Sequence, residues 1–205
     1  METLTFLLTS SFYPPFHIGG DAVHVRYLAE ELAERGHEVH ILHSLDAYRV
    51  KRSLPRTALD HEGIRRHPIE TALSLSAYEA YVFGTSPSVA RRFRALVKDV
   101  RPNVVHHHNI SLLGYDLLLR RGNYLNIYTA HDYWLICPQN RLLRRDLRVC
   151  ETASCMTCGL YYRRPPPSLE TLQPISQGNR RHRHSHRPER LCKDKDHRQI
   201  PHQSG

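Results

Sequence analysis

Four short stretches of this sequence carry groups that could do chemistry. They are Gly19-Gly20 in "SSFYPPFHIGGD", His106-His107-His108, His131-Asp132 in "TAHDYW", and Cys137 with Cys150, Cys155 and Cys158. The paired glycines precede a helical pattern, where free N–H groups and the helix dipole attract an anion. With no Cβ in the way, a phosphate could approach the main chain closely. A turn that needs positive φ is the other reading. Asp21 weighs against the phosphate, since its carboxylate would repel one at close range. In an extended strand alternate residues point to opposite faces, so His106 and His108 share one side and His107 takes the other. Such histidines can ligate a metal, move a proton, or shape the mouth of a site. His131 with Asp132 could accept and orient a hydroxyl proton. Cys150-x4-Cys155-x2-Cys158, with Cys137 upstream, suits structural zinc. Free thiols and an iron–sulfur cluster stay open as alternatives. Neither a GxGxxG nor a Walker fingerprint occurs.

These residues need elements to hold them. "LTFLL" (Leu4–Leu8) is apolar without alternation, as in a parallel strand covered on both faces. "DAVHVRYLAEELAERG" has helical spacing: Val25, Leu28 and Leu32 share a face, while Arg26, Glu30 and Glu34 face water. Asp21 would cap this helix and Gly36 would stop it. "EVHIL" (Glu38–Leu42) is the next strand and completes a βαβ unit. "EGIRRHPI" reads as a short strand and "LSLSAYEAYVF" as helix or strand. A helix from Pro87 to Val100 turns Val89, Phe93, Leu96 and Val97 inward, then stops before Pro102. "NVVHHH" is a strand, "LLGYDLLLRRG" a helix ending at Gly122, and "YLNIYTAHD" a further strand. The alternation predicts an open, mostly parallel α/β sheet with helices on both faces. Ligands of such sheets bind at the carboxyl ends of the strands, where the glycine, triple-histidine and His131 loops lie.

Composition bounds the rest. The chain has 205 residues, 40% hydrophobic and 24% charged, as a soluble globular chain has. No stretch is long enough to span a membrane. "METLTFLLTSS" lacks the basic start and long apolar run of a secretion signal, so the cytoplasm is the expected address. Five cysteines, an odd number, argue against a disulfide framework. From Pro174 to Gly205 eight Lys/Arg face three Asp/Glu, so +5 of the net +9 belongs to this tail. The tail has five histidines, no aromatic residue and no periodicity. Disorder is expected there, with non-specific attraction to acidic surfaces but no selective nucleic-acid recognition.

Taken jointly, "FYPPFHIGGDAVHVRYLAEELAERGHEVHIL", "RPNVVHHHNI" and "YTAHDYWLICP" resemble the N-terminal domain of family-4 glycosyltransferases of the GT-B type, over roughly residues 3 to 168. The resemblance implies a Rossmann-like domain over 1–168, half of a GT-B fold, with a linker and basic tail over 169–205. It also implies retaining transfer of a sugar from a nucleotide donor to a hydroxyl of a glycan, lipid-linked or small-molecule acceptor, with no cofactor required and with peripheral membrane contact common. Gly19 and Gly20 would face the donor diphosphate, and His131 would contact the transferred sugar. His108, Asn109, Asp132 and Tyr133 would line the acceptor side.

Two such domains need roughly 350–400 residues, and the family's paired glutamates, eight positions apart, belong to the second. Glu30/Glu38 and Glu62/Glu70 share that spacing by coincidence. The abrupt change near residue 170 is expected to reflect a truncated or frameshifted product, inactive by itself. A non-catalytic glycan-binding module and a zinc-stabilised scaffold with a nucleic-acid-associating tail are the rival expectations. Sequencing across the codons for Leu172 and Gln173 tests the frameshift: an uninterrupted frame would contradict it.

Overall fold

The computed structural model describes residues 2–50, 63–137, 139–144, 146–150 and 155–162, with nothing said of the Met156 side chain. The expected linker and tail, and Glu62 of the second glutamate pair, lie outside these residues. Strands β1 (Thr5–Thr9), β2 (Glu38–Ser44), β3 (Ile64–Ile69), β4 (Val104–His107) and β5 (Leu125–Tyr128) form one sheet. Its order is β3-β2-β1-β4-β5 and every pair is parallel. The helices are α1 (Gly20–Glu34), α2 (Leu45–Arg49), α3 (Leu75–Phe83), α4 (Pro87–Val100) and α5 (Cys155–Tyr161). This is the Rossmann-like α/β arrangement expected from the sequence.

The strand alternation assigns a helix to each face. Leu7 of β1, Leu42 of β2 and Val105 of β4 pack with Val89, Phe93 and Leu96 of α4 in one core. Leu8 and Ile41, one residue out of step, pack on the other face with Val25 and Ala29 of α1. Leu28 and Leu32 join that second core at its margin. Glu30 is half-buried instead of facing water, because Arg26 Nε donates to it at 2.6 Å. Leu125 and Ile127 of β5 are exposed. Register pairs Val104 with Leu125 and His106 with Ile127, so both lie on the α1 face.

Two local expectations are corrected. Helix α1 begins at Gly20 with Gly19 as its N-cap, and no side chain caps it. Asp21 lies within the first turn, where its Oδ1 accepts from the Ala22 amide at 2.9 Å. "LLGYDLLLRRG" does not form an α-helix; only Tyr115–Leu119 winds, as a 3-10 turn. Gly114, at φ +115, breaks the chain direction before it, and a Cβ there would press on the backbone of Gly84 and Thr85. Extended Arg120 ends the turn after it.

Gly36 does stop α1. At φ +83 it lets its own N–H reach Ala33 O at 2.9 Å and the His37 N–H reach Leu32 O at 3.1 Å, the paired bonds of a Schellman ending. Nothing lies within 4 Å of a Cβ added there, so substitution is opposed by backbone conformation alone. Gly36→Ala should cost about 1 kcal/mol in a urea melt; an unchanged midpoint would show that the left-handed turn is not required.

Candidate active site

Strand β1 passes through α1 to β2 on one side, whereas β4 and β5 lie on its other side, reached through α4 on the opposite face. The split between β1 and β4 is therefore the topological switch point, where a crevice opens beyond the strand ends. Loops 10–19, 108–114 and 129–137 converge there. Their spacing is fixed by main chain: the Ser11 amide donates to Asn109 O at 2.7 Å, and the Leu112 amide donates to Ser11 Oγ at 3.0 Å. Phe12 and Tyr13 are buried beneath the glycine loop. Phe16 stacks on His43 at 6.2 Å and meets Tyr48 edge-on at 5.8 Å.

The two glycines differ. Gly19 needs its φ of +99, and an added Cβ would lie 3.1 Å from Asp21 Oδ1. The turn explanation therefore accounts for Gly19. It does not account for Gly20, which has no left-handed φ and open space where its Cβ would be.

One turn after Gly20, on the same side of α1, stands His24. Its ring lies 5.1 Å from that of His131 and 5.8 Å from that of His108. His108 Nδ1 and His131 Nε2 share a hydrogen bond of 3.0 Å. His106 sits 4.1 Å behind His108, and its Nε2 is 2.8 Å from Thr129 Oγ1. The shared face of His106 and His108 is thus as the strand alternation predicted. His107 turns to the α4 face, beside Phe93, with Thr9 Oγ1 2.7 Å from its Nδ1.

The loop after His131 is held through Asp132. Its Oδ2 accepts from Asn109 Nδ2 at 3.2 Å and from Asn140 Nδ2 at 3.1 Å, and its Oδ1 accepts from the Trp134 amide at 2.8 Å. Asp132 is a positioning group in this arrangement. Tyr133 is exposed beside it.

The predicted residues Gly19, Gly20, His108, Asn109, His131, Asp132 and Tyr133 thus fall around one end of the sheet. His24 was missed by sequence reasoning. The signal available was its four-residue step from Gly20, which puts both on one helical face. Cys137 is buried and Cys150, Cys155 and Cys158 are partly buried, none of them in a disulfide. Two hollows, of about 400 and 430 Å³, open elsewhere, around Glu38 and Arg65 at the amino end of β2 and β3. The reactive groups instead form a ledge at the strand ends, on which His24 and Tyr133 are open to water.

Burial favours the neutral forms of His106, His108 and His131. His108 is pushed down to about 2, first by desolvation and then by His106 and His131. His131 is lowered by burial and by His24, while the carboxylates of Asp21 and Asp132 oppose the shift. A neutral imidazole at His131, fixed by His108, can accept or donate a hydrogen bond to a sugar hydroxyl.

The arrangement is that of an open α/β domain, a class whose ligands bind at the switch point beyond the strand ends. Residues 18–158 match Glycosyltransferase Family 4, and the chain belongs to that family, a family of glycosyl transfer. It is also similar to an uncharacterized 42.6 kDa protein in the cps region of Klebsiella pneumoniae, at 26% identity over 160 residues. That similarity covers 69% of this chain and 40% of the Klebsiella protein.

The histidines also make stability depend on pH. Burial lowers His43 to about 3, His107 to about 4 and His108 to about 2. In the unfolded chain each binds a proton below about pH 6.5, so the unfolded state gains protons first. Stability is full above that pH and falls as the pH drops, on the order of 1 kcal/mol per pH unit for each histidine. Urea melts at pH 7.5 and 5.5 should show this loss; equal stabilities would mean that the imidazoles protonate in place.

Proposed function

We propose that this domain is the acceptor-side half of a retaining glycosyltransferase. It would move a sugar from a nucleotide donor to a hydroxyl of a glycan, lipid-linked or small-molecule acceptor. The observation that carries this reading is Gly20. Neither its backbone angle nor any neighbour in the chain demands glycine, yet it opens a 15-residue helix one turn before the His24–His131 contact. A donor diphosphate lying against the amides that open α1 accounts for the missing side chain. Those amides and the helix dipole would stabilise the departing diphosphate as negative charge develops on it. His131 would contact the transferred sugar, held by His108, while Asn109, Asp132 and Tyr133 line the acceptor side.

Asp21 limits how the donor can lie. Its Oδ1 is occupied by the Ala22 amide, which draws the carboxylate back along the helix. The diphosphate would then approach from the Gly20–His24 side. Transfer also needs a closed, water-excluding cleft, and both His24 and Tyr133 are open to water. The chain by itself would therefore bind a donor weakly without turning it over. Among the described residues no helix is long and apolar enough to cross a membrane.

Gly20→Ala separates ligand binding from folding. Alanine suits the helix better, so stability should hold or rise by up to about 1 kcal/mol. Calorimetric titration with nucleoside diphosphates and nucleotide sugars should show an affinity loss of about tenfold or more, or about 1.4 kcal/mol. Equal binding by the variant would overturn the diphosphate assignment. Binding of acceptor glycans without any donor affinity would favour the glycan-binding module instead.

A further inference from the structure

The ledge leaves the cysteines unused. Cys137, Cys150, Cys155 and Cys158 come from a single stretch, with spacings of twelve, four and two intervening residues. Cys155 and Cys158 lie three apart on α5 and so share one side of it. Cys150 leaves the two-residue ladder Leu143–Val149, tied by its amide to Leu142 O at 2.8 Å. Cys137 closes a tight turn in which its amide donates to Tyr133 O at 2.8 Å and its carbonyl accepts from the Asn140 amide at 2.9 Å.

Among its described residues this stretch buries little apolar surface. Leu143, Leu147, Val149, Leu160 and Tyr161 are all exposed. Among the described residues from 137 to 162, the buried side chains are Cys137 and Gln139. The backbone is nevertheless tightly specified, with the non-glycine residues Asn140, Leu142 and Leu147 all at positive φ. Such conformations persist where the surroundings over-determine them, and the described residues bury too little apolar surface here to do so. Small, loop-rich segments of this kind are commonly fastened by a structural metal.

We infer that Cys137, Cys150, Cys155 and Cys158 form a tetrahedral structural zinc site that fastens residues 133–162 beside the transfer ledge. Among the described residues, the His24–His108–His131 group is the one whose ligand atoms already lie within 4.8 Å of one another. The thiols therefore close inward on binding, each losing its proton to solvent as its sulfur takes the metal. Asn140 carries the consequence to the ledge, because its side chain donates to Asp132. The site is independent of the transfer reading and stands whether or not a donor binds.

The test uses the full 205-residue chain, produced without a histidine tag or chelators. Elemental analysis should find close to one zinc per chain. Cobalt in its place should give the intense near-ultraviolet thiolate-to-metal bands of four sulfur ligands, a readout that survives if a variant fails to fold. Cys150→Ser and Cys158→Ser should each lose at least nine-tenths of the zinc, while His24→Ala and Cys192→Ser keep it. Zinc that persists in both cysteine variants but leaves with His24→Ala would assign the metal to the histidines and overturn the proposal. So would iron with cluster absorption, or a chain that stays metal-free when zinc is supplied.

Discussion

The site depends on the seam between β1 and β4, two strands almost a hundred residues apart in the chain. Leu8 pairs with His106 and Thr9 with His107, and the seam continues past the strands through the Ser11–Asn109 main-chain bond. One side of the seam carries the glycine loop and the start of α1; the other carries His108 and, through it, His131. Because the pairing is parallel and both faces are covered, a one-residue slip would send Leu8 towards α4 and Leu7 towards α1, each into a core shaped for the other set. Core packing thus fixes the relative position of the helix amides and the histidines without any contact from a ligand.

That arrangement joins a positively polarised helix end to a set of uncharged imidazoles. The usual partner for an anion would be a basic side chain, yet burial and mutual repulsion keep His106, His108 and His131 from charging readily. Backbone dipoles are fixed by the fold and need no reorganisation as charge develops. In the proposed reading, a neutral His131 would leave the sugar to be oriented by hydrogen bonds, and the helix start would meet the diphosphate's charge.

Much of the fold was legible because burial leaves a periodic record. Leu7 and Leu8 both had to be covered, so "LTFLL" implied helices on two faces. The α4 pattern gave Val89, Phe93 and Leu96 as core residues. The failures share a different cause. "LLGYDLLLRRG" has helical composition, but Gly114 and extended Arg120 leave it only one 3-10 turn. Asp21 resembles a cap by type, whereas the close Gly19-Gly20 turn moves the helix start two residues earlier. His24 was only half legible: its four-residue step from Gly20 gives a shared helical face, but its partners His108 and His131 come from the ends of β4 and β5, and no local pattern reports that meeting. Gly20 was legible as glycine but not as one without an internal reason; that distinction required coordinates.

The central claim is that the first amides of α1 grip a phosphate group. Amide and imidazole chemical shifts, followed by nuclear magnetic resonance while a nucleoside diphosphate is added, test it most directly. The account predicts saturable shifts of the Gly20 and Asp21 amides together with the His24 and His131 rings. Shifts confined to the hollow around Glu38 and Arg65, with the α1 start unmoved, would contradict it.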